Sequence, residues 1–152
     1  MAGKGKGGTM QIAHILVHRS PGEVITIDAE ASVADAVKLL AEKRIGAMPV
    51  LANGSLAGIF SERDLLYRLA HEGSACLGSK VGDVMTSPAI TVEKSARADE
   101  ALGLMTRRRI RHLPVTENGA MCGFVSIGDL VKSRIVEVEH EAEALKEYIA
   151  HG

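Results

Sequence analysis

VITIDAEASVADAVKLLAEKRIGAMPVLANGSLAGIFSERDLL (Val24–Leu66) and AITVEKSARADEALGLMTRRRIRHLPVTENGAMCGFVSIGDLV (Ala89–Val131) can be laid over one another without a gap. Pro49 and Pro114 fix the offset, and Thr26/Thr91, Gly58/Gly123, Ser61/Ser126 and Asp64/Asp129 all keep it. About a third of the paired positions are identical, and most others exchange like for like. A duplication constrains the fold before any local propensity is weighed, because one short unit must be built twice and packed on itself. Polar residues kept in both copies mark two equivalent sites.

Each copy predicts strand, helix, strand, turn, strand, helix. In the first, Val24–Ile27 is a short strand, and Ser32 caps a helix through Lys43 with Val33, Ala36, Val37 and Leu40 on one face. Ala47–Leu51 and Leu56–Phe60 are strands joined by Asn53-Gly54, a strong hairpin signal. Ser61 then opens a helix through His71. The second copy repeats the plan with Ile90–Val92, Ala98–Arg108, Leu113–Thr116, the Asn118-Gly119 turn, Met121–Val125 and a helix capped by Ser126. Val81–Met85 predicts a helical turn before Pro88.

A unit this short leaves a sheet face and two helices needing cover, so the two copies pack together about a pseudo-twofold axis. The predicted class is α+β: two β-α-β-β-α repeats in one integrated domain, followed by a long C-terminal helix. The chain divides into a disordered tail (1–9), the first repeat with its lead-in (10–72), a small-residue linker (73–80), the second repeat (81–135) and a helical extension (136–152). In the last helix Val131, Ile135, Val138, Ala142, Leu145 and Ile149 step by fours and threes, an a/d seam with Glu-rich flanks. A seam that outruns its repeat predicts a partner helix, hence a homodimer.

With 46% apolar and 24% charged residues, the 152-residue chain has an ordinary globular composition. A net charge of −1 gives no whole-molecule field toward DNA or acidic membranes. Aromatics are 3% with no Trp, so the core must be aliphatic. Two distant cysteines, Cys76 and Cys122, do not make a disulfide scaffold, and a reduced, cytoplasmic setting is expected. No apolar run of spanning length is present, and the Gly/Lys-rich start has no signal-like h-region and no Walker ending.

Gly58-Ile59-Phe60-Ser61-Glu62-Arg63-Asp64 and Gly123-Phe124-Val125-Ser126-Ile127-Gly128-Asp129 are the recurring polar signal. Ser at the cap and Asp three residues on put a hydroxyl and a carboxylate at one helix end, where N–H groups and the dipole favour an anion. Such a carboxylate can accept two hydrogen bonds from vicinal hydroxyls of a ribose. The alternative is an ordinary capping box, whose Asp only returns a bond to the cap backbone. Two copies, each following an Ile-x-x-x-Pro-Val strand and a Gly, are harder to explain by capping alone.

These features together resemble a tandem pair of cystathionine β-synthase (CBS) domains, a Bateman module, across Gln11–Ile135. The resemblance is carried by Ile45-Gly46-Ala47-Met48-Pro49-Val50, Ile110-Arg111-His112-Leu113-Pro114-Val115, the Asn-Gly hairpins, the Gly-h-h-Ser-x-x-Asp runs and Val84-Met85-Thr86. It extends to stand-alone bacterial two-CBS proteins with a charged C-terminal helix. It implies a regulatory module that binds AMP or another adenine nucleotide (NAD(H), ATP or S-adenosylmethionine) and signals to a protein partner. Asp64 and Asp129 would hold ribose hydroxyls, with Ser61 and Ser126 beside them. The backbones of Ile45, Gly46 and Ala47 and of Ile110, Arg111 and His112, leading into Pro49 and Pro114, would recognise adenine. Thr26 and Thr91 would line the same clefts, and Arg63, Arg111 and His112 would meet phosphate. Arg63 has Gly128 as its counterpart, and Arg111-His112 match Gly46-Ala47, so the clefts should differ.

Other readings are weaker. The Arg107–Arg111 run lacks interleaved aromatics for stacking nucleic acid and suits a solvated helix C-terminus or a ligand phosphate. His14 and His18, at i and i+4, have no further ligand nearby, so no metal is expected. Cys122 is expected to be a small core residue of its strand. No catalytic base, nucleophile or catalytic cofactor set emerges, which leaves a structural dimerisation module with empty clefts as the remaining alternative.

Overall fold

The computed structural model describes residues 10–18 and 24–151, so the tail read as 1–9 lies outside the described residues. The chain runs α1 (Ile12–His18), β1 (Ile27–Asp28), α2 (Val33–Lys43), β2 (Ala47–Ala52), β3 (Ser55–Ser61) and α3 (Glu62–Glu72). After a 3-10 helix (Gly73–Gly78) come α4 (Val81–Val84), β4 (Val92–Glu93), α5 (Ala98–Arg108), β5 (His112–Glu117), β6 (Ala120–Ser126) and α6 (Ile127–His151). The class is α+β with a long C-terminal helix, as the repeat predicts.

Each half is a three-stranded sheet, β1-β2-β3 or β4-β5-β6, with one parallel and one antiparallel pairing. Asn53 and Gly54 sit at φ 53° and 81°, and Asn118 and Gly119 at 54° and 82°. Positive φ at both central residues gives the tight turn whose twist matches its strands. Ser32 Oγ accepts from the Asp35 N–H at 3.0 Å, the cap read from the sequence. The first strand of each copy is shorter than predicted. Ile27–Asp28 and Val92–Glu93 pair only with Val50–Leu51 and Val115–Thr116, where the neighbouring ladder itself shifts register.

Two core clusters result, not one. Val33, Ala36, Leu40, Met48, Val50 and Phe60 form the first, and Ala98, Ala101, Met105, Leu113, Val115 and Val125 the second. Each is completed by the other half's lead-in: Val81 and Val84 of α4 enter the first, Ile12 and Ile15 of α1 the second. The exchange is symmetric to the atom. Val81 N donates to Ala31 O and Val33 N to Ser79 O, both at 2.8 Å, while Ile12 N donates to Ala96 O and Ala98 N to Met10 O, again at 2.8 Å. The segment 73–80 therefore carries the chain into this exchange, with Cys76 buried along it.

The crossing explains the paired glycines. An ideal Cβ on Gly58 would stand 2.6 Å from the Thr86 carbonyl oxygen, and one on Gly123 would stand 2.8 Å from Leu16 Cδ2. A lead-in lies against the strand at both places, with backbone at Gly58 and the end of a side chain at Gly123. Cys122 corrects an expectation: it is exposed, because strand alternation turns Gly123 and Val125 inward and Cys122 out. Partial desolvation still pushes the thiol upward, away from the reactive thiolate. The side chain of His18 lies outside the described residues, and no metal-ligating group of three or more is found among those described. Among the described residues no helix is long and apolar enough to cross a membrane.

Candidate functional site

A cleft of about 410 Å³ opens between the halves, within the ~300–1,000 Å³ of small-molecule sites. The first half supplies Gly46 and Ala47 from the start of β2 and Ser61, Glu62, Arg63 and Asp64 from the β3–α3 junction. Across from them stand Arg109, Ile110, Arg111 and His112, from the end of α5 into β5. Thr86 and Pro88–Ile90 close the third side. Neither half makes this cleft alone.

Asp64 is held firmly. Its Oδ2 accepts from the Ser61 N–H at 2.9 Å and from Ser61 Oγ at 3.0 Å, and Ser61 Oγ accepts from the Asp64 N–H at 3.3 Å. This is a full capping box. Thr86 Oγ1 adds a fourth contact, donating to Asp64 Oδ1 at 2.9 Å. A carboxylate offers about four acceptor positions, so three bonds leave one for a ligand. The Thr86 hydroxyl oxygen beside it is a second acceptor. Two vicinal hydroxyls could therefore be shared between Asp64 Oδ1 and Thr86 Oγ1, where the sequence assigned both to the aspartate.

The helix start is less open to an anion than its sequence suggests. Ser61 N and Asp64 N are used within the capping box, and Glu62 N donates to the Gly46 carbonyl at 3.0 Å. Negative charge in the cleft then falls chiefly to side chains. Arg63, Arg109 and Arg111 all reach it, and Arg63 Nη1 donates to the Arg109 carbonyl at 3.1 Å, tying the two halves together at the rim. Arg109 is placed by its left-handed conformation at the C-cap of α5 (φ 56°), the same turn Arg44 makes after α2.

His112 stacks on Phe124, ring centres 5.5 Å apart and planes within 13°. Burial pushes its imidazole below the ordinary histidine range; Asp129 and Glu62 oppose that shift and Arg111 adds to it. The unfolded chain therefore takes up this proton at a higher pH than the folded one. The corresponding stability is complete above the ordinary histidine pKa of about 6.5 and drains away as pH falls below it. Urea unfolding at pH 7.5 and pH 5.0 should show a larger acid loss in the wild type than in His112→Gln. Equal losses would mean that His112 titrates as in water.

The second repeat repeats the cap: Asp129 Oδ2 accepts from Ser126 N at 2.8 Å and Ser126 Oγ accepts from Asp129 N at 3.1 Å. These two residues lie outside the described cleft, as do Thr26, Ile45, Pro49, Thr91 and Pro114. Pro49 and Pro114 are buried within β2 and β5, and Ile45 packs against the first core. By the repeat offset, the counterpart of Pro88–Ile90 is residues 23–25, partly outside the described residues. Sequence reasoning assigned no role to Thr86 or Glu62, and offered Arg109 to a ligand phosphate only as part of the Arg107–Arg111 run. Thr86 stood in the quoted Val84-Met85-Thr86, but only the lead-in crossing onto β3 brings it to Asp64.

Comparison with known proteins gives a consistent picture. The CBS domain family matches twice, at residues 15–71 and 81–135. The Arabidopsis thaliana mitochondrial CBS domain-containing protein CBSX3 is 38% identical over 136 residues, 86% of this chain and 66% of that protein's length. The crystal structure of the CBS-domain containing protein ATU1752 from Agrobacterium tumefaciens superposes with a TM-score of 0.79 at 33% identity, over 88% of this chain and 98% of the other. CBSX2, solved in complex with AMP, superposes with a TM-score of 0.70 at 27% identity, over 83% and 96% of the two chains.

Proposed function

We infer the function from one premise: the chain belongs to the CBS domain family. It is a regulatory module without catalytic chemistry of its own. It takes an adenine nucleotide, AMP in the first place, into the cleft between its halves and passes the bound state to a protein partner. One observation carries this reading: Asp64 and Thr86 present adjoining acceptors in a cleft whose rim holds Arg63, Arg109 and Arg111. Acceptors suit ribose hydroxyls, and guanidinium groups suit phosphate. The AMP bound to CBSX2 supports the choice of nucleotide. NAD(H), ATP and S-adenosylmethionine share the adenosine that these groups would grip.

Because both halves line the cleft, a ligand there favours one relative arrangement of them, and a partner that binds that arrangement better reads the occupancy. The placement of Arg109 and Arg111 at this small cleft favours phosphate of a nucleotide over a nucleic-acid strand. An exposed apolar stripe on α6 supports self-association as a homodimer. For the test, protein stripped of small molecules is melted with AMP, ATP, NAD⁺ or S-adenosylmethionine. AMP at 100 times its Kd should add about 2.7 kcal/mol, a rise of several degrees in Tm for a chain of this length. No shift with any of the four would end the nucleotide reading and leave a paired scaffold.

A further inference from the structure

We propose that the C-terminal part of α6 pairs with α6 of a second copy as a parallel, in-register two-stranded coiled coil. The proposal rests on the self-association reading above and deepens it by fixing orientation and register. Val131, Ile135, Val138, Leu145 and Ile149 are between 44% and 69% exposed, and Ala142 between them is exposed too. Own-domain contacts lie elsewhere on the helix. Leu130 and Ser133 are buried, and Glu137 Oε2 accepts from Met10 N, on a face about a third of a turn from the stripe. The stripe is thus bare while the helix is anchored.

The occupant follows from charge. With Ile135, Ala142 and Ile149 at a and Val131, Val138 and Leu145 at d, Arg134 and Glu141 fall at g and Glu139 and Lys146 at e. In a parallel dimer each g residue meets the e residue five positions later on the other helix. Arg134 then faces Glu139 of the partner subunit, and Glu141 faces Lys146 of the partner subunit. Symmetry doubles both, so four opposite-charge pairs flank the seam. An antiparallel pair covering the whole seam would set Glu139 against Glu139 and Glu141 against Glu141. The β-branched Ile at two a positions, with Leu at one d, also suits two strands. A Glu-rich flank gives no attraction to an anionic membrane.

The test uses the full chain in light scattering and sedimentation equilibrium at low salt. Wild type should be a dimer, Leu145→Asp a monomer with unchanged helicity. Glu141→Lys and Lys146→Glu should each weaken the dimer about tenfold by creating like-charge pairs, and an equimolar mixture of the two should recover wild-type affinity as a heterodimer. In a Cys122→Ser background, Ile149→Cys should oxidise to a covalent dimer, because paired a positions lie side by side. A monomeric wild type overturns self-association itself. A dimer that resists Leu145→Asp overturns the α6 seam. A dimer that needs Leu145 but ignores Glu141→Lys and does not crosslink at position 149 overturns only the parallel register.

Discussion

Gly58→Ala should cost about 2–3 kcal/mol of stability, whereas Gly123→Ala should cost about 1 kcal/mol or less. The two residues are repeat equivalents in the same strand position, so their propensities cancel in the comparison. What differs is the atom that each new methyl would strike. At Gly58 it would meet the Thr86 carbonyl oxygen at 2.6 Å and Met85 Sδ at 2.8 Å. That carbonyl accepts from Ile59 N at 2.9 Å, and Thr86 N donates to Ile59 O at 2.8 Å. Retreat of the lead-in would stretch both bonds, each worth about 1 kcal/mol. At Gly123 the methyl would meet Leu16 Cδ2 and Cδ1, at 2.8 and 2.9 Å. Those are the ends of a side chain that can change rotamer for about 0.5–1.5 kcal/mol. The reduced freedom of an unfolded Ala over Gly returns up to about 1 kcal/mol at either position, enough to cancel the smaller penalty and not the larger. Urea unfolding of both variants decides the matter. Equal losses would mean that the lead-in at Thr86 is not packed as described. Because Thr86 also orients Asp64, Gly58→Ala should weaken AMP binding as well.

That contrast also marks where the sequence was legible. Pattern sufficed wherever a residue's role is local. Ser32, the Asn-Gly turns and the Ser-x-x-Asp caps act within a few positions of themselves, and the helices and hairpins fall where their periodicity places them. Duplication supplied the pseudo-twofold pairing of the halves. The exchange of lead-ins was not legible, since α1 and α4 are short and nothing local distinguishes packing on their own half from packing on the other. Everything depending on that exchange was missed with it: the close approach of the lead-ins at Gly58 and Gly123, the hydroxyl of Thr86 on Asp64, and the third wall of the cleft. Cys122 failed for a simpler reason. Strand alternation needs an anchor, and apolar residues on both sides of Gly123, Cys122 and Phe124, gave none.

Asp64→Ala should weaken AMP binding in the described cleft by roughly 30-fold, while Asp129→Ala leaves that cleft's affinity intact. Both aspartates close a capping box with the serine before them, and Asp64→Ala removes the Thr86 bond as well. Loss of the cap should lower stability by about 1 kcal/mol in each variant. Stability does not isolate the ligand role of Asp64, and binding does. Only Asp64 turns its remaining acceptor position into the described cleft, beside the Thr86 hydroxyl. Hydrogen bonds to a charged group are worth about 1.5–3 kcal/mol each, which sets the size of the loss. Thr86→Val, which keeps the shape and removes the hydroxyl, should weaken AMP binding by a smaller factor, since Asp64 Oδ1 stays in place but loses its orienting donor. Calorimetric titration of the three variants at one salt concentration gives the ranking. If Asp64→Ala and Asp129→Ala bind AMP equally well in this cleft, the carboxylate is a helix cap and nothing more, and the ribose must be held elsewhere.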